Sequence, residues 1–171
     1  MGLLDKLLGR EDEKAPLRPL YAAIVAEARQ PHWYEAGGVA DSVEGRFEMI
    51  AAVHSFVTFR LEALGETAMV PNARLTDCFV EDMHGQLREI GIGDVGVGRE
   101  LGVMVGALGG RMGAYRDGLA GTGDLETALI RNLYRGEAPA PGAIAYVKAE
   151  LLALAARLEM RSFEELLAGR M

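Results

Sequence analysis

Two patterns that could carry chemistry overlap in one stretch, FVEDMHGQLREIGIGDVGVGRELG, which spans residues 79–102. Its Gly91, Gly93 and Gly96 satisfy the G-x-G-x-x-G spacing of dinucleotide-binding loops. In such loops the chain leaves a strand, turns on glycines and enters a helix whose N–H groups bind the pyrophosphate. Glu81 precedes His84 by three residues, as in one half of a carboxylate-bridged di-iron site. Each pattern needs particular elements around it.

The surrounding elements favour neither pattern. The residues before Gly91 have the periodicity of a helix rather than a strand, so we interpret Gly91 and Gly93 as a corner between two helices. Asp94 is then the N-cap of the second helix. A di-iron bundle also needs a second E-x-x-H pair, and neither of the other two histidines has a glutamate three residues before it. We therefore predict no metal and no cofactor.

One enzymatic alternative stays open on the residues alone. His54 lies in an apolar helical stripe, where a histidine is usually a neutral core residue, and Glu81 and Asp82 belong to the next predicted helix. These three side chains could surround a metal or a haem-like ligand in a small helical enzyme. Because the sequence contains no complete catalytic set, we expect a protein that is not an enzyme.

Apolar residues recur with helical spacing through most of the chain, which predicts an all-α fold of about seven helices. Residues 1–16 are predicted to be a leucine-rich amphipathic segment with a charged linker, and residues 17–171 a single domain. Asp41 or Ser42 and Asp124 are candidate N-caps, and Ser162 with Glu165 forms a capping box. Residues 32–42 are predicted to be a loop. The predicted helices cover residues 17–30, 43–64, 72–90, 94–117, 124–136 and 142–160, before a last short helix.

Composition narrows the class of protein. The chain has 171 residues. Because its formal net charge is -7, electrostatic binding to nucleic acid is not expected. A single cysteine excludes an internal disulfide and a cysteine-rich zinc site. No apolar run reaches the roughly 18 residues of a membrane span, and the first residues lack a secretory signal. These features predict a cytoplasmic protein.

The helix predicted after Asp94 is unusually rich in glycine. Each glycine inside a helix costs roughly 1 kcal/mol relative to alanine, so some contact should offset several of them. Small residues four apart let another helix approach closely, and that helix could belong to this chain or to a partner. We include Arg111, which follows the row, in the candidate partner-binding set. The row is Gly98, Gly102, Gly106 and Gly110, with Gly109 and Gly113 beside it.

Arginines in apolar surroundings are a second unusual feature. Arg46 and Arg60 lie on an otherwise apolar flank of the helix predicted over residues 43–64. A buried guanidinium needs a carboxylate or a carbonyl as its partner. Asp82, at the edge of the neighbouring helix stripe, is the predicted partner of Arg46 in a structural ion pair, and Arg60 is a second ion-pair candidate.

The first residues place leucines in pairs on one helical face, at Leu3, Leu4, Leu7 and Leu8. Such a face could contact a membrane surface or a client protein. The segment is short and carries few cations, so on its own it would bind a bilayer weakly.

Several segments between residues 33 and 134 resemble the ubiquinol-cytochrome c chaperone family. They are Asp41 to Glu48 (DSVEGRFE), Glu81 to Met83, Leu87 to Glu89, and Gly91 to Asp94. This family includes the mitochondrial assembly factors for cytochrome b of the bc1 complex, together with bacterial homologues. The chain departs from many relatives at His84, where they carry aspartate.

The resemblance implies an α-helical, non-enzymatic assembly factor that binds newly made cytochrome b without a cofactor. Mitochondrial members work with a small partner protein near the ribosomal exit, so such a protein and the ribosome are further expected contacts. The short N-terminus favours a bacterial member in the cytoplasm, at or near the inner membrane. The glycine row is then a candidate groove for a transmembrane helix of the client.

Overall fold

The structure, a computed structural model, describes residues 12–89 and 94–171, and both ranges are helical without a strand. This confirms the predicted all-α class. A 3-10 turn at Ala15–Leu17 precedes the α-helices. They are α1 (Arg18–Ala28), α2 (Pro31–Glu35), α3 (Val43–Ala63), α4 (Glu66–Glu89), α5 (Asp94–Ala120), α6 (Leu125–Asn132), α7 (Pro141–Glu159) and α8 (Phe163–Leu167).

Local sequence signals set several helix ends. The Ser42 hydroxyl accepts a hydrogen bond from the Gly45 N–H at 3.1 Å and caps α3. Asp124 accepts from two N–H groups in the first turn of α6. Ser162 and Glu165 form the predicted capping box of α8. These contacts satisfy N–H groups that have no partner inside their own helix, and they confirm the predicted starts.

Helix α3 is the centre of the fold and packs against α1, α4, α5 and α7. Fourteen of its 21 residues are buried, so apolar side chains point outward from the helix in nearly every direction and meet a neighbour there. Phe56, Val57 and Leu61 belong to the single core cluster of buried residues, which also includes Trp33 and Tyr115. The helix therefore acts as the axis that the other helices surround.

Two helices differ from the predicted ranges. Pro31 occupies the first turn of α2, whose other residues were predicted to belong to a loop, and Trp33 from this helix is fully buried. Proline is favoured at that position because it has no N–H to leave unpaired. Helix α4 starts at Glu66, before the predicted Pro71 or Asn72, and so contains a proline in its second turn.

Two sequence predictions fall outside the described residues. The predicted corner glycines Gly91 and Gly93 lie between the two described ranges, and the paired leucines lie before residue 12. Asp94 is the first residue of α5, but its side chain is not among those described. Their roles stay predictions.

Candidate partner-binding surface

Six of the glycines of α5 form a bare surface, which we call the glycine face. No atom of the described residues, apart from the helix's own adjacent backbone, lies within 4 Å of where a Cβ would stand at any of them. All but the last are exposed. Within the described residues, therefore, no other helix of the chain covers this face. The glycine face consists of Gly98, Gly102, Gly106, Gly109, Gly110 and Gly113.

Exposed apolar side chains lie beside the glycine face on α5. Val103 is 61% exposed and Val105 is 37% exposed. The helical spacing of Val97, Leu101, Val105, Leu108, Met112 and Tyr115 predicts an inner stripe, and the structure places Val105 at the surface instead. Leu108 and Tyr115, further along the same predicted stripe, are buried as expected. Helix α5 is thus packed on the side of Leu108 and Tyr115, while another side presents glycine and valine outward.

A buried ion pair fixes the packed half of α5 to the central helix. The Arg111 Nε donates to Glu48 Oε2 at 2.5 Å, and the Arg111 Nη2 donates to Glu48 Oε1. The Glu48 side chain is only 5% exposed and the Arg111 side chain 16%. The guanidinium also lies over the Phe47 ring, 5.6 Å from its centroid. The two hydrogen bonds between the side chains, together with the contact of the guanidinium with the Phe47 ring, offset part of the desolvation penalty that burial imposes on both charges.

Glu48 was missed by the sequence reasoning. The signal was available in the sequence, because most residues between Phe47 and Thr58 are apolar. Glu48 is the single carboxylate among them and therefore requires a cation. The sequence cannot show that its cation is Arg111, because the two residues are 63 positions apart. Arg111 is therefore engaged within the chain, and its contact with a partner stays a prediction.

The predicted ion pair between Arg46 and Asp82 is wrong. Arg46 lies in the first turns of α3, where its side chain is 55% exposed, and its Nε donates to Asp41 at 2.7 Å. Asp82 accepts hydrogen bonds from Tyr21 Oη at 2.7 Å and from Gln86. The helix periodicity was right, but the flank that buries residues in the middle of α3 is open to solvent at its N-terminal end.

Arg60 has a different environment from the other two arginines. Its Nη2 donates to the Arg161 carbonyl at 2.8 Å, and it makes no ion pair with a carboxylate of the described residues. The predicted ion-pair partner is thus replaced by a backbone carbonyl.

The side chains of the enzymatic alternative do not form a site. The described residues contain no group of three or more histidine, cysteine, aspartate or glutamate side chains that could hold a metal ion. Glu81 is exposed and pairs with Lys14, while Asp82 is held by Tyr21. His54 is completely buried against Phe79, and burial lowers its pKa to about 4, with the Leu75 backbone opposing the shift.

None of the described helices is long and apolar enough to cross a membrane.

Comparison with known proteins agrees with this helical architecture. The crystal structure of the Cbp3 homolog from Brucella abortus superimposes with a TM-score of 0.80 and 30% sequence identity, over 99% of this chain and 95% of that one. Comparison with curated proteins gives no match. The family model described as ubiquinol-cytochrome C chaperone matches residues 35–171. On this match and on the structural similarity, the chain belongs to the ubiquinol-cytochrome c chaperone family.

Proposed function

We propose that this protein is an assembly chaperone for the cytochrome bc1 complex, and that it holds newly made cytochrome b on the glycine face of α5. Family membership and the similarity to the Cbp3 homolog support the role in assembly. A role of this kind is binding rather than catalysis. The observation that supports the proposed surface is that the six glycines of the glycine face meet no other described residue.

The energetics of α5 favour a partner on this face. The six glycines of the glycine face cost several kcal/mol relative to alanine, and no described residue packs against them to offset that penalty. Helices from membranes pack closely where small residues let two backbones approach, and they gain van der Waals contact and Cα–H···O contacts there. Val103 and Val105 add exposed apolar area beside the glycines. A hydrophobic client helix would cover both.

The proposed place of action is the cytoplasmic side of the inner membrane, where cytochrome b is inserted. The paired leucines before residue 12 are proposed to keep the protein near that surface. A small partner protein and the ribosome are proposed contacts that follow from the family alone. No part of this proposal requires a cofactor.

The test is capture of the client from native membranes. Tagged protein is purified from detergent-solubilised membranes of cells that are making the bc1 complex, and the eluate is examined by mass spectrometry and by its haem b spectrum. We expect cytochrome b with the unmodified chain. We expect its loss when Gly102 and Gly106 are both replaced by leucine, because the added side chains occupy the space that the client backbone needs.

The matched control replaces two other helical glycines that also have open space beside them, Gly85 in α4 and Gly142 in α7. The Gly85→Leu/Gly142→Leu variant should retain cytochrome b. Thermal unfolding of both double variants checks that each is folded. An eluate of the unmodified chain without cytochrome b would refute the client, and retention by a folded Gly102→Leu/Gly106→Leu variant would refute the surface.

A further inference from the structure

A second open surface is a groove of about 680 Å³ between the C-terminal ends of α3 and α7, to which α5 contributes Leu119. Leu119 is six residues beyond Gly113, the last glycine of the glycine face, which places it roughly 9 Å further along the helix and about 120° around it, so the groove is separate from that face. Its apolar lining includes Phe56, Phe59, Leu152, Ala155 and Ala156.

Arg60 lines this groove and is incompletely satisfied. One of its N–H groups is bonded to the Arg161 carbonyl, whereas the Arg60 Nε is buried and has no acceptor among the described residues. Glu159 lines the same groove but makes no ion pair with Arg60. A partly buried guanidinium beside an apolar surface is normally paired with an anion, because desolvation without a counter-charge is unfavourable.

The other arginines that the sequence places among apolar residues emphasise the difference. Arg111 is bonded by Glu48 and Arg46 by Asp41, so each has a carboxylate from this chain. Arg116, which stacks on the groove residue Phe59, donates to both carboxylate oxygens of Glu62. Of these four guanidinium groups, only that of Arg60 lacks a described anion.

We propose that this groove binds an amphipathic helix of a partner protein and that an acidic side chain of that helix pairs with Arg60. Charge complementarity identifies the anion, and the shape identifies the helix. Helix α7 presents Leu152, Ala155, Ala156 and Glu159 at i, i+3, i+4 and i+7, a single helical face. The alanines allow a second helix to approach, and Leu152 is 42% exposed.

A helix suits the groove better than a free acyl chain does. The groove is open along one side, so an acyl chain would keep much of its length in water, whereas small-molecule sites cover most of their ligand. An amphipathic helix leaves its polar face in the solvent at no such disadvantage. This inference goes beyond the proposed chaperone function, because it concerns a different surface and does not require cytochrome b.

The probe is a pair of fluorescein-labelled peptides that form the same amphipathic leucine–alanine helix and differ at one apolar-face edge position, Glu or Gln. Binding to the full chain is followed by fluorescence anisotropy. We expect the Glu peptide to bind about tenfold more tightly, the effect of a charge-assisted hydrogen bond. The chain carries a net charge of -7, so its overall field opposes this preference, and only a local cation can produce it.

Substitution of Arg60 separates the local cation from every other cause. In Arg60→Gln the two peptides should bind equally, and in Arg60→Lys the preference for Glu should persist in part. Arg131→Gln, which removes an exposed arginine from α6, is the control and should keep the tenfold ratio. Because loss of the Arg161 contact could affect folding, the surface variant Leu152→Glu is the second test and should weaken both peptides by blocking the apolar groove.

Three results would overturn the proposal. They are equal affinity of the two peptides for the unmodified chain, absence of binding by either peptide, and a Glu preference that survives in folded Arg60→Gln. Displacement of the Glu peptide by oleate would instead identify an acyl carboxylate as the better occupant and would refute the helix. Capture of cytochrome b by the same variants distinguishes this outcome from failure of the chaperone function, since the glycine face is unchanged in all of them.

Discussion

Helices α3 and α5 are both long and apolar, and they have opposite relations to the rest of the molecule. Of the 21 residues in α3, 14 are buried, including Glu48, His54 and Thr58. Of the side chains described in α5, only Leu108 and Tyr115 are buried, and the six glycines of the glycine face meet open space. Apolar composition alone therefore does not determine burial, because glycine adds no side chain that could fill a core.

The contrast also shows how α5 is held in place. A helix with eight glycines gains little stability from its own backbone, so it depends on the contacts that it makes with other helices. Those contacts are Leu108, Tyr115 and the ion pair of Arg111 with Glu48. A surface meant for another helix is thus combined with a firm attachment to the central helix. The following changes test each side of this contrast.

The largest expected effect comes from breaking the attachment. Glu48→Ala leaves the Arg111 guanidinium buried without its carboxylate, and we expect the free energy of unfolding to fall by about 3–5 kcal/mol. Urea denaturation measures the loss. Arg46→Ala removes an exposed pair and should cost no more than about 1 kcal/mol, which makes it the matched control.

A double replacement sharpens this prediction. Glu48→Leu combined with Arg111→Met removes both charges and keeps the volume apolar, so it should recover much of the stability lost in Glu48→Ala. A loss in Glu48→Ala no larger than that in Arg46→Ala would show that the pair does not hold α5 to α3.

The next effect concerns a titratable group inside α3. Burial lowers the pKa of His54 to about 4 from 6.5, so between these pH values the unfolded chain binds a proton that the folded chain does not. Stability therefore falls as the pH is lowered through this window, by up to about 3 kcal/mol. Urea denaturation from pH 7 to pH 4 should show a steeper loss for the unmodified chain than for His54→Gln. Equal losses of stability in the two proteins would refute the contribution of His54, because the carboxylates contribute equally to both profiles.

The glycine inside α3 should behave unlike those of α5. A Cβ added at Gly45 would stand 1.9 Å from the Ala40 carbonyl oxygen, and that atom belongs to the backbone. Gly45→Ala should therefore destabilise the protein by about 1–3 kcal/mol, as overpacking does elsewhere. Thermal unfolding measures the shift, with Gly142→Ala as a control that has open space. An unchanged midpoint would mean that the segment before α3 moves aside without loss.

Much of the fold could be predicted from the sequence, because its signals are local. Helical periodicity identified the all-α class, and the caps at Ser42, Asp124 and Ser162 lie within three residues of the N–H groups that they satisfy. The short helix α2 was not predicted, although a proline such as Pro31 is favoured in the first turn of a helix.

The partners of charged side chains were not predictable in the same way. Arg46 pairs with Asp41, five residues away in the sequence. The buried carboxylate that requires a cation is Glu48, and its partner Arg111 lies on another helix. Periodicity shows which face of a helix is apolar but not where a neighbouring helix stops covering it. The exposure of the glycine face was not predictable for the same reason. The spacing of the glycines indicates that a helix can pack there, but not whether that helix belongs to this chain or to a partner.

The smallest effect tests that exposure directly and has the opposite sign. Gly106→Ala adds a methyl group where no described residue stands within 4 Å, and alanine is the better helix former. We expect the free energy of unfolding to rise by about 1 kcal/mol, measured by urea denaturation beside Gly45→Ala. A loss of stability would show that the chain itself covers this face, and the client surface would have to be sought elsewhere. A gain would mean that the glycine is retained despite its effect on stability, as expected where a second helix must come close.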